Sequence, residues 1–444
     1  MRCLGFVLAV GSFVFGLILR WLYIFEWHVA SRYLFSDMEG YFNAAQDFCN
    51  PNFTAGIGET VHPPGTRFFF GILMWADDSF TLVMIVQFIL AALVPLLLWG
   101  IARNLFGRRT ALWTLAISSL YYPLFDYFGY VLSEGPFMFS MVCSFWFLVR
   151  GLRTRGRLSL MLWFAAGGML GVAASFKSVV LPAAFLVMLA LLLIMRKHKL
   201  VAGRGLITAA AGLLMILAPL SVRATILSEG RFCLIANDAT RNILLGHYGD
   251  IGGARFSDPL RGTVYFFGSP SCAQKGFSEV VDFQFGVYEN EKIMAEAMKW
   301  ITAHPLDSVL LSFEHLFDLF YGTLAWPSCV SETRKWVVLF SEIYLVLILF
   351  PACYFVLRHL RPMLSLRADL CGDVLVLMPI VALAIAAFLT LGEPRYRIPF
   401  DGFMILLACR AFCGNPMAEA NLFAVPQADA LNEPVRDPAP ARDR

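Results

Sequence analysis

The sequence predicts an all-α polytopic membrane protein. Three observations lead there. Of 444 residues, 59% are hydrophobic and only 15% are charged, and the mean hydropathy is +0.67. A soluble domain averages about 45–50% apolar and about 25% charged residues. The apolar residues also gather into runs of roughly 20, the length a spanning helix needs. The connections between runs alternate between basic clusters and stretches without them, as the positive-inside rule requires. The net charge of +3 gives no reason to expect nucleic acid as a partner.

The candidate spans are 4–25, 79–101, 110–125, 131–149, 160–176, 178–195, 205–226, 336–357, 373–391 and 396–413. The first run follows a basic start but lacks a small-residue cleavage site, so it reads as a retained span rather than a signal peptide. Basic clusters mark alternate connections: Arg103, Arg108 and Arg109; then Arg150, Arg153, Arg155 and Arg157; then Arg196, Lys197, Lys199 and Arg204; finally Arg358, Arg361 and Arg367. With these clusters in the cytoplasm, ten spans alternate without conflict, and both termini lie inside. The stretch 306–321 is apolar but carries Glu314, His315 and Asp318. It reads as a helix at the outer interface or packed on the bundle. Treating it and similar segments as crossings would bring the bundle to about 10–12 helices.

The chain then divides into four parts. Residues 1–226 form an N-terminal transmembrane module with a first outer loop at 26–78. Residues 227–335 form a small external cap with interfacial helices, including a helix near 284–303. Residues 336–413 complete the bundle, and 414–444, rich in Ala, Pro and charge, read as a disordered cytoplasmic tail. Ten cysteines include no C-x-x-C pair, so a zinc site is not expected. Cys233 and Cys272 fall in the outer segment, where pairing is permitted.

Polar chemistry gathers on the outer connections. The first loop holds S-D-M-E-G-Y, with Asp37, Glu39 and Tyr41. Ser36 and Glu39 have the spacing of a capping box, which by itself explains a helix start. The same loop ends in His62-Pro63-Pro64-Gly65. Glu134 stands at the outer start of a span, and Lys177 sits in a short turn between two others. The last outer turn reads Gly392-Glu393-Pro394-Arg395-Tyr396-Arg397-Ile398-Pro399. A single Arg or Lys at a span end is most often an interfacial anchor. Here four distant segments bring acids and bases to one surface. That suggests a polar cleft in which arginines bind phosphate and a carboxylate takes a proton from an acceptor hydroxyl or amine.

In this order of elements the chain resembles membrane glycosyltransferases of the GT-C fold. The nearest resemblance is to bacterial relatives of the dolichyl-phosphate-mannose protein mannosyltransferases, a branch that includes the lipid A aminoarabinose transferases. The correspondence covers roughly 1–413. It rests on Asp37 with Tyr41, on His62-Pro63-Pro64-Gly65, on Glu134, on Lys177 with Pro182, and on Arg395-Tyr396-Arg397-Ile398-Pro399. One departure is that Met38, not an acid, follows Asp37.

The resemblance implies an inverting glycosyltransferase that uses a polyprenyl-phosphate sugar donor from the outer leaflet. The acceptor would be a glycolipid, a polysaccharide or a protein of the cell envelope, and the bilayer would be a bacterial inner membrane. Asp37 would be the catalytic base. Lys177, Arg395, Arg397 and His62 would hold the donor phosphate. Glu39, Tyr41, Glu134 and Tyr396 would support the site or orient the acceptor. No metal or other cofactor is expected, although a divalent cation held by Asp37 and Glu134 is left open by analogy with oligosaccharyltransferases. Two alternatives stand beside this reading: a transporter or flippase of lipid-linked sugars, and a polysaccharide polymerase or ligase.

Overall fold

The computed structural model describes residues 2–77, 79–198, 203–249, 251–268, 279–322 and 334–413. The tail at 414–444, and Cys272 as a partner for Cys233, lie outside these residues. The chain is predominantly helical. In order, the principal helices are α1 (Arg2–Trp21), α2 (Asp37–Cys49), α3 (Gly65–Ala76), α4 (Thr81–Phe106), α5 (Arg108–Leu120), α6 (Glu134–Arg153), α7 (Gly156–Phe176), α8 (Val180–Lys197), α9 (Gly203–Leu227), α10 (Ala239–His247), α11 (Asn290–Ala303), α12 (Pro305–Tyr321), α13 (Arg334–Tyr344), α14 (Phe350–Leu364), α15 (Cys371–Leu389) and α16 (Asp401–Cys413). A π-helical turn, Leu345–Leu349, joins α13 to α14 into one long rod.

Among the described residues, eight helices are long and apolar enough to cross a membrane. Eight of the ten expected spans are therefore present as such. The other two, 110–125 and 396–413, are shorter than expected. Each contains a helix of only 13 residues, α5 and α16, about 20 Å long against a hydrocarbon core of about 30 Å. Helix α16 lies inside the bundle, with every residue from Asp401 to Arg410 buried, whereas α5 buries one face, Thr110, Ala111, Thr114, Leu115, Ser118 and Ser119, and exposes Trp113 and Leu120. A helix surrounded by other helices need not match the thickness of lipid, because protein satisfies the backbone at its ends.

Outward-facing apolar side chains mark the lipid-facing surface. On α1, Leu4, Val7, Leu8, Phe15 and Ile18 are exposed, while Arg20 is buried and donates to the carbonyls of Gly16, Ala91, Ser118 and Ser119. This arginine ties α1, α4 and α5 together at the level of their backbones. Helices α7 and α9 approach through small residues, as membrane helices do when backbones pack closely. A Cβ at Gly212 would collide with the Phe164 carbonyl, and one at Gly167 with the Ala209 carbonyl. Gly212→Leu is expected to destabilise the bundle by about 1–3 kcal/mol or more, measured as a lower melting temperature in detergent.

Helix α12 is the awkward stretch 306–321. It packs on the bundle through Ser308, Ser312, His315 and Leu319, and it exposes Leu306, Leu310, Phe313 and Phe317. Its polar stripe faces inward and its apolar stripe faces outward, so it lies against the bundle as an amphipathic helix.

The cap contains a small sheet that the sequence reading did not anticipate. Strand β1 (Gly253–Asp258) pairs antiparallel with β2 (Thr263–Gly268) and parallel with β3 (Val280–Phe283). Leu244, Ile251, Ala254, Phe256, Phe283, Val287 and Ile293 form its core, which Val61 of the first loop also joins. Asn237 anchors the cap to that loop through its N–H on the Thr60 carbonyl at 2.7 Å. His247 meets the Leu389 carbonyl at 3.2 Å, and His315 meets the Gly246 carbonyl at 2.7 Å. The cap therefore sits at the end of the bundle where α6 begins and α7 and α15 end. The basic clusters lie at the opposite helix ends.

Candidate active site

Four distant segments meet under the cap. Asp37 is the first residue of α2, Glu134 the first of α6, Lys177 the residue after α7, and Arg395 lies in the helical turn Pro394–Arg397 that follows α15. Glu134 is the hub. Its carboxylate accepts from Arg395 Nε at 2.5 Å, Lys177 Nζ at 3.0 Å and Ser133 Oγ at 3.2 Å, and its side chain is fully buried. Arg395 reaches outward from this hub to Asp37, with Nη1 on Oδ2 at 3.0 Å. The Asp37 side chain is 43% exposed, so the cluster runs from a buried carboxylate to one at the cleft mouth.

The electrostatics follow from burial. Desolvation opposes the charge on Arg395, but Glu134 and Asp37 outweigh it and raise its pKa well above the usual value. Burial lowers the pKa of Lys177, and Glu134 acts in the opposite direction. Charge-assisted hydrogen bonds of this kind are short and directional, so the cluster holds its geometry firmly.

Aromatic rings complete the cleft. Tyr396 lies 5.3 Å from Lys177 Nζ and 5.9 Å from the Arg395 guanidinium. Tyr41 stands edge-on to His62 at 5.8 Å and hydrogen-bonds Ser133; burial raises the pKa of its hydroxyl. His62 is open to solvent on one side. Desolvation by the surrounding protein and the positive charge of Arg241 lower its pKa to about 4, so the ring is neutral at physiological pH.

Two expected residues do not join this cluster. Arg397 is engaged within the bundle: its Nε donates to Asp401 at 3.0 Å, its Nη1 donates to the Leu319 and Phe320 carbonyls, and it stacks on Tyr344 at 3.6 Å. Glu39 is exposed on α2. Ser36 provides no side-chain cap for α2 and has a positive φ of 55°. The helix begins where the sequence placed it, but without the capping box.

Two further residues belong to the cleft although the sequence reading gave them no role. The first is Glu393, in the last outer turn two residues before Arg395. It is buried, and its Oε1 has no hydrogen-bond partner among the described residues. Burial raises its pKa from 4.5 to about 7. Because the folded value lies above the unfolded one, its contribution to stability is full below about pH 4.5 and is lost as the pH rises through about 7. Glu393→Gln is expected to remove that loss and to raise the melting temperature at pH 8 by about 2–5 °C, with little effect at pH 4.5. The second residue is Arg241 on α10, in a polar stretch of the cap that carries no motif.

Among the described residues, no group of three His, Cys, Asp or Glu side chains could hold a metal ion. Asp37 and Glu134 are both paired with Arg395.

The apolar helices and their arrangement define an integral membrane protein with the GT-C fold. Residues 61–222 match the family described as dolichyl-phosphate-mannose-protein mannosyltransferase. The fold is similar to that of the archaeal oligosaccharyltransferase AglB from Archaeoglobus fulgidus in complex with an inhibitory peptide and a dolichol-phosphate. That match has a TM-score of 0.54 and 12% identity, and it covers 91% of this chain and 50% of that one. This chain thus spans half the length of that structure. An Archaeoglobus fulgidus oligosaccharyltransferase complex with Zn and sulfate is similar at a TM-score of 0.44 and 13% identity, over 90% of this chain and 48% of that one. Curated proteins give no match.

Proposed function

We propose that the chain is an inverting glycosyltransferase that moves a sugar from a polyprenyl-phosphate donor to an envelope acceptor at the outer face of a bacterial inner membrane. The observation that carries this reading is the Asp37–Arg395–Glu134–Lys177 cluster, with one carboxylate open to the cleft and its cations held from beneath. The shared fold of a protein bound to a dolichol-phosphate, and the mannosyltransferase match over 61–222, support it.

In this reading the acceptor hydroxyl or amine gives its proton to Asp37 as its lone pair attacks the anomeric carbon. The bond from that carbon to the phosphate oxygen breaks, and the electron pair leaves with the polyprenyl phosphate. Arg395 and Lys177 stabilise the charge that develops on the leaving group. For Arg395, the donor phosphate takes over the Nη1 contact now made to Asp37, which frees the carboxylate to act as base. The cap shapes the acceptor side. A transport path would need polar residues along the middle of the spans, whereas this cluster lies at the helix ends.

Mass spectrometry of envelope lipids and glycans tests the reading, comparing cells that carry the protein with cells that lack it. The expected result is one glycan short by a single sugar, with accumulation of a polyprenyl-phosphate sugar. Unchanged glycans and unchanged lipid-linked sugars would overturn it.

A further inference from the structure

Arg241 is the third residue of α10 and is 5% exposed. Its guanidinium lies over the Phe267 ring at 4.0 Å. Its Nε and Nη1 are buried with no hydrogen-bond partner among the described residues. The other buried arginines each have an oxygen partner: Arg20 has four carbonyls, and Arg67, Arg397 and Arg410 are paired with Glu59, Asp401 and Asp373. A buried cation with unused donors is strongly unfavourable unless something pairs with it.

The surroundings indicate what that partner is. The Phe267 ring beneath Arg241 stands edge-on to His62 at 6.2 Å, and His62 stands edge-on to Tyr41 at 5.8 Å; the groups acting electrostatically on Arg241 include Asp238, Tyr396, Tyr41 and Asp37. Arg241 therefore borders the same cleft as the Asp37 cluster, on the cap side. Asp238 is the nearest acid in sequence, and its carboxylate is in contact with Ser178 Oγ at 3.4 Å. Lys177 and Arg395 are already engaged by Glu134 and Asp37. An incoming anion thus finds its unengaged donors on the cap, at Arg241, beside the neutral ring of His62.

We propose that Arg241 is an oxyanion-binding residue contributed by the cap, and that it takes a phosphate-type group entering the cleft. A guanidinium backed by an aromatic ring suits a tetrahedral oxyanion. The group is either the phosphate of the lipid-linked donor, which rests on the transferase reading, or an acidic substituent of the acceptor. In both cases the bound anion links α10 to the bundle and fixes the cap over the reacting atoms.

The test uses the full chain in lipid nanodiscs, with Arg241→Gln and Arg241→Lys beside wild type. The probes are undecaprenyl phosphate, undecaprenol without phosphate, and inorganic phosphate. Binding and melting temperature are measured for each. Wild type is expected to bind undecaprenyl phosphate and not undecaprenol. Arg241→Gln is expected to bind it at least tenfold more weakly, with Arg241→Lys intermediate. Without ligand, Arg241→Gln is expected to melt no lower than wild type, because it removes an unpaired buried charge. If wild type binds only inorganic phosphate, and Arg241→Gln abolishes that binding, the subsite stands and the lipid-phosphate donor reading falls. If Arg241→Gln binds undecaprenyl phosphate as wild type does, the donor reading stands and the subsite is overturned. Failure of wild type to bind either phosphate probe overturns the subsite, as does ligand-free Arg241→Gln that melts well below wild type or does not fold.

Discussion

Asp37→Asn is expected to leave the chain folded in the membrane and to slow sugar transfer by about 10²-fold or more. The side chain is 43% exposed, so loss of its charge leaves no deeply buried group stranded. Arg395 keeps its contact to Glu134 at 2.5 Å, and the amide oxygen of Asn can still accept from Nη1. The geometry of the cleft therefore survives. An amide cannot take the acceptor's proton, however, and general-base catalysis contributes about 10²–10⁴-fold. The measurement is transfer rate per unit of membrane protein, with melting temperature as the control. Normal turnover at normal stability would remove Asp37 from the mechanism and reduce it to a helix-starting acid.

The architecture of the bundle was legible because hydropathy and arginine placement act through the bilayer, which the sequence reports directly. Where protein replaces lipid as the solvent, the signal weakens. Helices α5 and α16 showed apolar runs of plausible length, but hydropathy does not distinguish a short helix held by its neighbours, as α16 is, from a spanning one. The cap sheet was missed for a related reason. Its strands are four to six residues long, and Gly and charged residues interrupt their alternation.

The site was legible to the extent that its residues stood at span ends. Asp37, Glu134, Lys177 and Arg395 come together as their positions suggested. The residues that failed to join them share a geometric cause. Arg397 is two positions from Arg395, and Glu39 is two positions from Asp37. On a helical turn two positions amount to about 200°, so when one side chain enters the cleft the other points away from it. Arg397 meets Asp401 in the bundle and Glu39 meets solvent. Arg241 could not be found this way, because a cation buried by tertiary packing leaves no trace in local sequence.

Glu134 carries the second large expectation. Its fully buried carboxylate is the common partner of two cations, Lys177 and Arg395. Removing one member of a buried ionic group leaves uncompensated charge and costs about 3–5 kcal/mol. Glu134→Ala is therefore expected to lower stability by that amount and to abolish transfer, since Arg395 loses the support that aims it at Asp37. Loss of activity alone would not separate a structural role from a catalytic one. The double variant Glu134→Gln with Lys177→Met does. It removes one charge of each sign and leaves Asp37 paired with Arg395, so most of the lost stability should return. In the proposed mechanism activity should not return, because the leaving phosphate has lost Lys177 and Arg395 is held at position 134 by a neutral amide in place of a carboxylate. Recovery of both together would mean that the cluster serves only to hold helix ends in place. Recovery of stability without turnover would place Glu134 and Lys177 in the machinery of transfer, acting through the position and charge of Arg395.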